Sequence, residues 1–238
     1  MECDNMTDFR ANDIGEVTRG TTFYLIVKRT IDILGALIGL VLLSPIFLIV
    51  AIAIKLDSKG PIIFGHTRKG LHGKDIKVYK FRTMYENSQE IFNNFTKEQK
   101  EEFYKNFKLE NDPRVTKIGD FLRRTSIDEL PQLINILNGS MSIVGPRPAL
   151  YNQYDLRDMR TEVGVHKLVP GLTGWAQING RDEIPLEEKV ALDKEYMNMQ
   201  SFWMDIKIIF MTVFKVAKSE GVSEGSSKGG HSKSIQNS

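Results

Sequence analysis

An uncharged, largely apolar run extends from residue 33 to 54 (ILGALIGLVLLSPIFLIVAIAI), 22 positions, and polar residues crowd both ends. As one straight helix the run would extend about 33 Å, close to the hydrocarbon thickness of a bilayer. Ser44 and Pro45 interrupt it near the middle. Proline has no N–H and its ring collides with the carbonyl four residues back, so the pattern predicts two arms of about 16 and 14 Å meeting at a kink near Val41, with Ser44 placed to cap the freed backbone. These residues leave three placements open: a re-entrant hairpin, a proline-kinked span and a buried core helix. Lys28 and Arg29 stand before the run and Lys55 and Lys59 after it. Positive charge at both mouths gives a span no direction, suits two ends on one side, and puts Lys28 and Arg29 where headgroups would meet them.

Further along, residues 62–64 and 76–81 read as short strands around a Gly-rich basic turn, residues 66–74, which predicts an antiparallel hairpin. Residues 86–110 repeat Phe92, Phe95, Phe103 and Phe107 at spacings near helical multiples, the mark of a long amphipathic helix or a helix pair. Residues 117–124 and 127–137 follow as helices, residues 141–144 as a strand, and residues 145–148 and 169–175 as turns. Residues 185–199 are again helical. Residues 201–218 place Phe202, Trp203, Ile206, Ile209, Phe210, Val213 and Phe214 on one broad face with Lys207, Lys215 and Lys218 beside it, too short and charged to span but suited to a membrane surface. Residues 1–22 read as a flexible polar leader and residues 219–238, rich in Ser, Gly and Lys, as a disordered tail.

Composition narrows the chemistry. A net charge of +2 over 238 residues does not point to nucleic acid, whereas local clusters such as Arg114, Lys117, Arg123 and Arg124 suit phosphates or anionic headgroups. Cys3 is the sole cysteine, so no internal disulfide and no cysteine-based metal site exists. His66, His72, His166 and His231 show no ligand spacing.

Ser126-Ile127-Asp128-Glu129 carries the S-x-x-E pattern of a helix capping box, which puts two adjacent carboxylates at a helix N-terminus. Pro131 suits the first turn better if the cap lies near Asp128, so the register between Ser126 and Asp128 stays open. A capping box alone is usually structural. Arg123 and Arg124 just ahead of the pair, with Lys80, Arg82, Arg114 and Arg147 elsewhere, make a cradle for a diphosphate and a divalent ion. Pro146 and Pro148 fix the backbone on either side of Arg147, so its guanidinium is presented with little entropy to lose.

Five segments in order carry a resemblance: the Ser-Pro-broken run, Lys80-Phe81-Arg82-Thr83-Met84, residues 123–132 (RRTSIDELPQ), Gly145-Pro146-Arg147-Pro148, and residues 170–181 (PGLTGWAQINGR). With them the chain, from about Lys28 to about Phe214, closely resembles the bacterial sugar transferases, the monotopic polyprenyl-phosphate phosphoglycosyl transferases. The resemblance implies an α/β, membrane-anchored monotopic enzyme with a re-entrant helix broken at Ser44-Pro45, a small β-hairpin and several amphipathic interfacial helices. It implies transfer of a phosphosugar from a UDP-sugar to polyprenyl (undecaprenyl) phosphate with release of UMP, at the cytoplasmic face of the bacterial inner membrane, as the initiating step of surface glycan assembly. By the same resemblance Asp128 is the nucleophile, Glu129 helps to hold Mg²⁺, and Lys80, Arg82, Arg114, Arg123, Arg124, Arg147 and Arg181 serve phosphate and donor binding. Residues 23–56 become the re-entrant membrane helix and residues 57–218 the catalytic domain. Membrane lipids are implied partners, and a homo-oligomer and downstream glycosyltransferases stay open as others. Larger relatives carry a multi-span N-terminal domain, so the chain reads as the minimal form. Asp182 and Leu186 stand where many members have Asn and an aromatic, which leaves the sugar open. Two rival readings are a non-catalytic scaffold that binds anionic lipids and a metal-dependent hydrolase of lipid diphosphates.

Overall fold

The computed structural model describes residues 22–106, 109, 111–180 and 184–217. The expected leader ahead of Thr22 and the tail lie outside those residues, as do Phe107, Arg181, Asp182 and Lys218.

The apolar run folds as two helices, α1 (Thr22–Leu42) and α2 (Ser44–Asp57), bent by 61° about Leu43. Pro45 sits in the first turn of α2, where an N–H would have no helical acceptor. The Ser44 hydroxyl donates to the Val41 carbonyl at 2.8 Å, so the break and its cap fall where proline chemistry places them. Among the described residues no single helix is long and apolar enough to cross a bilayer, though α1 and α2 together reach that length and composition. One stripe of each packs inward: Ala36 and Leu40 against Leu133 and Ile136, Val50 and Ile54 against Phe81 and Leu122. The backbone of α1 comes close here. A Cβ on Gly35 would lie 2.9 Å from Ile143 and one on Gly39 3.2 Å from Leu133. The opposite stripe, including Leu37, Ile38, Val41, Ile49, Ile52 and Leu56, is exposed. The run is therefore not a fully buried core helix.

The expected hairpin is longer than its apolar pattern. β1 (Ile63–Lys69) pairs antiparallel with β2 (Asp75–Phe81), from Ile63 opposite Phe81 to Lys69 opposite Asp75. His66 to Lys69, read as turn because of their polarity, are strand residues of a half-exposed face. The described part of residues 86–110 holds a helix pair, α3 (Ser88–Asn93) and α4 (Lys97–Asn106). A reciprocal box separates the two: the Gln99 N–H donates to Thr96 Oγ1 and the Thr96 N–H to Gln99 Oε1.

Thr116 caps α5 (Lys117–Arg124) by accepting from the Gly119 N–H at 2.9 Å. Gly119 is required there, since a Cβ would stand 2.1 Å from the Thr83 carbonyl oxygen. The helix expected over 127–137 divides into a 3₁₀ turn, Ile127–Glu129, and α6 (Gln132–Leu137). Ser126 makes no capping hydrogen bond, and its φ of 56° lies in the left-handed region. Neither cap register holds, because Pro131 precedes α6 as its cap residue and a proline ring opposes helix running through it.

β3 (Ser142–Val144) is followed by β4 (Ala149–Leu150), which joins the free side of β1 to give the order β2-β1-β4. After α7 (Tyr154–Glu162), the segment read as turn contains β5 (Gly171–Thr173), parallel to β3. α8 (Trp175–Asn179), α9 (Leu186–Met199) and α10 (Phe202–Ala217) close the fold. Met204 and Ile208 of α10 pack on Val144, Leu168, Ile178 and Tyr196, while Phe202, Trp203, Phe210, Val213 and Phe214 remain exposed. Lys28 and Tyr24 of α1 meet α10 at Asp205, at 2.7 and 3.0 Å, and Tyr196 of α9 donates to the other Asp205 oxygen at 2.8 Å. The described residues form a mixed α/β arrangement with two small sheets.

Candidate active site

Asp128 and Glu129 lie on the 3₁₀ turn between α5 and α6 and are 2% and 8% exposed. Two buried carboxylates side by side require cations. Lys80 supplies one, its Nζ 3.1 Å from Asp128 Oδ2 and 3.0 Å from Glu129 Oε1. Arg147 supplies another, with Nη2 2.9 Å from Glu129 Oε1.

Lys80 is held in place by the edge of its strand. β2 is the outer strand of its sheet, and Asn135 of α6 covers that edge, accepting from the Tyr79 N–H at 2.9 Å and donating to the Lys77 carbonyl at 2.7 Å. Because α6 begins three residues after Glu129, this bridge fixes the acid turn and Lys80 as one unit. Phe81 turns into the core beside Phe47, at 5.2 Å between ring centroids. Thr83 receives α5, its hydroxyl accepting from Arg123 Nε at 2.9 Å and its carbonyl from the Thr116 N–H at 3.0 Å.

Arg147 is set by the parallel pair. The Gly145 N–H donates to the Thr173 carbonyl at 2.8 Å and the Gly171 N–H to the Pro146 carbonyl at 2.9 Å. A Cβ on Gly171 would stand 2.1 Å from Gly145 N, so the Gly-Pro-Arg-Pro and Pro-Gly-Leu-Thr-Gly segments are two halves of one backbone clasp. Behind it, Arg160 of α7 donates through Nη1 to the Arg147 carbonyl at 2.8 Å and through Nε and Nη2 to Asp193 Oδ2 at 2.9 and 2.6 Å. Burial pushes the Asp193 carboxyl up, against the opposing pull of Arg160. A solvent-open cleft of about 100 Å³ lies beside Arg147, lined also by Lys69, Pro148, Arg157, Arg160 and His166.

Arg82, Arg114 and Arg124 have partners of their own. Arg82 turns to the end of α2, donating to the Ile54 and Ser58 carbonyls at 3.1 and 2.6 Å. Arg114 forks onto Asp112 and lies over the rings of Phe92, Phe95 and Phe103, 4.8–5.2 Å from their centroids, which explains that aromatic repeat as packing. Arg124 pairs with Asp120 on the exposed face of α5. Arg181 lies outside the described residues. Lys28 and Arg29 both turn inward instead of toward headgroups: Lys28 to Asp205, Arg29 to the Ile136 and Leu137 carbonyls that end α6. Asn135 and Arg160 were missed, since a lone Asn or Arg within a helical stretch carries no sequence signal of what it touches.

The family model described as bacterial sugar transferase matches residues 23–219. The chain belongs to the bacterial sugar transferase family. Over 199 residues the chain is 47% identical to a UDP-glucose:undecaprenyl-phosphate glucose-1-phosphate transferase of Escherichia coli, covering 80% of the chain and 40% of the relative. Over 199 residues it is 43% identical to the exopolysaccharide production protein ExoY of Sinorhizobium fredii, covering 82% and 88%. It is 40% identical over 199 residues to an undecaprenyl-phosphate galactose phosphotransferase of Salmonella typhimurium, covering 82% and 41%. The chain thus spans about two fifths of the enteric relatives and most of the rhizobial one.

The donor set suits a hard divalent cation in a limited way. Among the described residues no group of three His, Cys, Asp or Glu could hold a metal, whereas the acid pair offers two adjacent carboxylates. Mg²⁺ is commonly bound by one or two carboxylates, with water and substrate phosphates completing its shell. A fit therefore requires the phosphates.

Proposed function

We propose that the protein transfers a phosphosugar from a UDP-sugar to polyprenyl phosphate, releasing UMP, through a covalent intermediate on Asp128. The observation that carries this is the buried pair Asp128 and Glu129 held against Lys80 and Arg147, in a member of the bacterial sugar transferase family.

An Asp128 oxygen attacks the sugar-linked phosphorus, the phosphoanhydride bond breaks and UMP leaves with the bridging oxygen. An oxygen of the lipid phosphate then attacks the same phosphorus, and the aspartyl–phosphorus bond breaks to return the carboxylate. One phosphoanhydride replaces another, so no further energy source enters. A carboxylate approaching a diphosphate meets repulsion, which Lys80 and Arg147 offset as positive charge fixed before the substrate arrives. Glu129 and the donor phosphates would hold Mg²⁺, which when bound neutralises the diphosphate charge. The cleft beside Arg147 takes the nucleotide end of the donor.

The exposed apolar stripes of α1, α2 and α10 support seating in one leaflet of the inner membrane, entered and left on the cytoplasmic side. A bent pair with basic residues at both mouths suits re-entrance better than a directed span. A shallow seat sets a lipid phosphate and a water-soluble donor at one height and shields the acyl phosphate from hydrolysis. The test is UMP release from a panel of UDP-sugars with polyprenyl phosphate, wild type against Asp128→Asn. Release that depends on donor and lipid acceptor, with accumulation of a lipid-linked diphosphosugar and loss in Asp128→Asn, is expected. Near-normal release in Asp128→Asn contradicts the nucleophile, and no release with any sugar contradicts the reaction.

A further inference from the structure

Arg160 and Asp193 are buried, at 7% and 1% exposed, and sit on different helices 33 residues apart. Arg160 lines the cleft, yet three of its nitrogens are committed: Nε and Nη2 to one carboxylate oxygen of Asp193, Nη1 to the Arg147 carbonyl. A planar fork can grip a carboxylate and a main-chain oxygen at once, which an ammonium on a flexible stem cannot do in the same geometry. The main chain at Arg147 is thus gripped from two sides, by Arg160 on its own carbonyl and by the Gly171 N–H on the carbonyl of Pro146. Between two prolines it has little freedom left, and what remains is the direction of the side chain that meets Glu129.

We propose that Arg160 and Asp193 are positioning residues for Arg147, aligning its guanidinium with Glu129 and the cleft across a relay of α9, α7 and the clasp. The inference rests on the phosphosugar-transfer reading for its kinetic consequence. A misplacement of about 1 Å at a charge-stabilising group costs on the order of 10²-fold in rate.

The experiment uses the full chain in lipid nanodiscs and measures kcat and KM for the UDP-sugar in Arg160→Lys, Asp193→Asn, Arg147→Ala and both double variants with Arg147→Ala. The single variants Arg160→Lys and Asp193→Asn are expected to lose about 10- to 100-fold in kcat/KM. In the Arg147→Ala background each should cause less than about a 2-fold further loss, because its effect passes through a side chain already removed. An undiminished loss in that background overturns the proposal and makes Arg160 a direct donor contact or a purely structural residue. A second readout needs no turnover: the thermal coupling between Glu129→Gln and Arg147→Ala. Coupling present in the parent and abolished by Arg160→Lys, or by Asp193→Asn should the lysine variant not fold, supports the proposal. Coupling retained in the variant that folds overturns it, and this holds even if no UDP-sugar is turned over.

Discussion

Lys80 bridges both acids, so its removal takes a positive charge from each of the buried carboxylates Asp128 and Glu129. Lys80→Met is expected to lower kcat by about 10²–10³-fold, the usual cost of one preorganised charge, with a smaller change in KM for the donor. A loss confined to KM, read in steady-state kinetics, would mean that Lys80 binds the donor without acting in the transition state. His66 makes a different point. Its Nδ1 accepts from Arg68 Nε at 3.2 Å, and burial, with Arg68 and Lys80 nearby, lowers its pKa from 6.5 to about 4. The unfolded chain then binds the extra proton first, so this residue removes stability as pH falls from about 6.5 to about 4 and has no effect above that window. Melting curves of His66→Gln and wild type should diverge in the variant's favour as the pH drops through it. Curves that stay parallel would mean that the imidazole is not held neutral.

At the scale of elements, close backbone approach decides which substitutions the fold accepts. A Cβ on Gly145 would stand 2.4 Å from the Val169 carbonyl oxygen, a backbone atom that cannot swing aside. Gly145→Ala should cost about 1–3 kcal/mol and lower the melting temperature by roughly 2–12 °C, while also displacing Arg147 and reducing turnover. Differential scanning fluorimetry checks the first and UMP release the second; an unchanged melting temperature would show that the clasp is looser than its geometry. The same physics marks what was legible in the chain. The proline break after Val41, the amphipathic faces and the strand at residues 141–144 follow from local rules that tertiary contacts did not override. β5 did not, because it opens on Gly171 between Pro170 and Gly174, residues that read as turn, and only the pairing with β3 makes it a strand. The capping box failed for a related reason: Ser126 adopts a left-handed conformation that no composition rule anticipates, and the helix begins after Pro131. In the site, adjacency revealed the acids and two prolines revealed Arg147. Arg82 and Arg114 looked identical in kind yet serve α2 and an aromatic cage, a distinction that exists only in three dimensions.

For the whole molecule, α1 is tied to the body by Lys28, Arg29 and Asp32, the last accepting from the Ile143 N–H at 2.9 Å. The bent pair is therefore joined to the site, and in the proposed re-entrant seat its depth in a bilayer would set the height of Asp128. Single cysteines in place of Thr22 and Lys59, on a Cys3→Ser background, should be labelled by a membrane-impermeant maleimide from the same side. Labelling from opposite sides would replace the re-entrant seat with a span. The most direct test of the central claim is the intact mass of the purified protein, quenched after exposure to a UDP-sugar without lipid acceptor. The wild type should gain the mass of one phosphosugar and lose it when polyprenyl phosphate is added, and Asp128→Asn should gain nothing. An adduct of equal yield on Asp128→Asn, or rapid turnover with no adduct on the wild type under any quench, would contradict a covalent intermediate at Asp128.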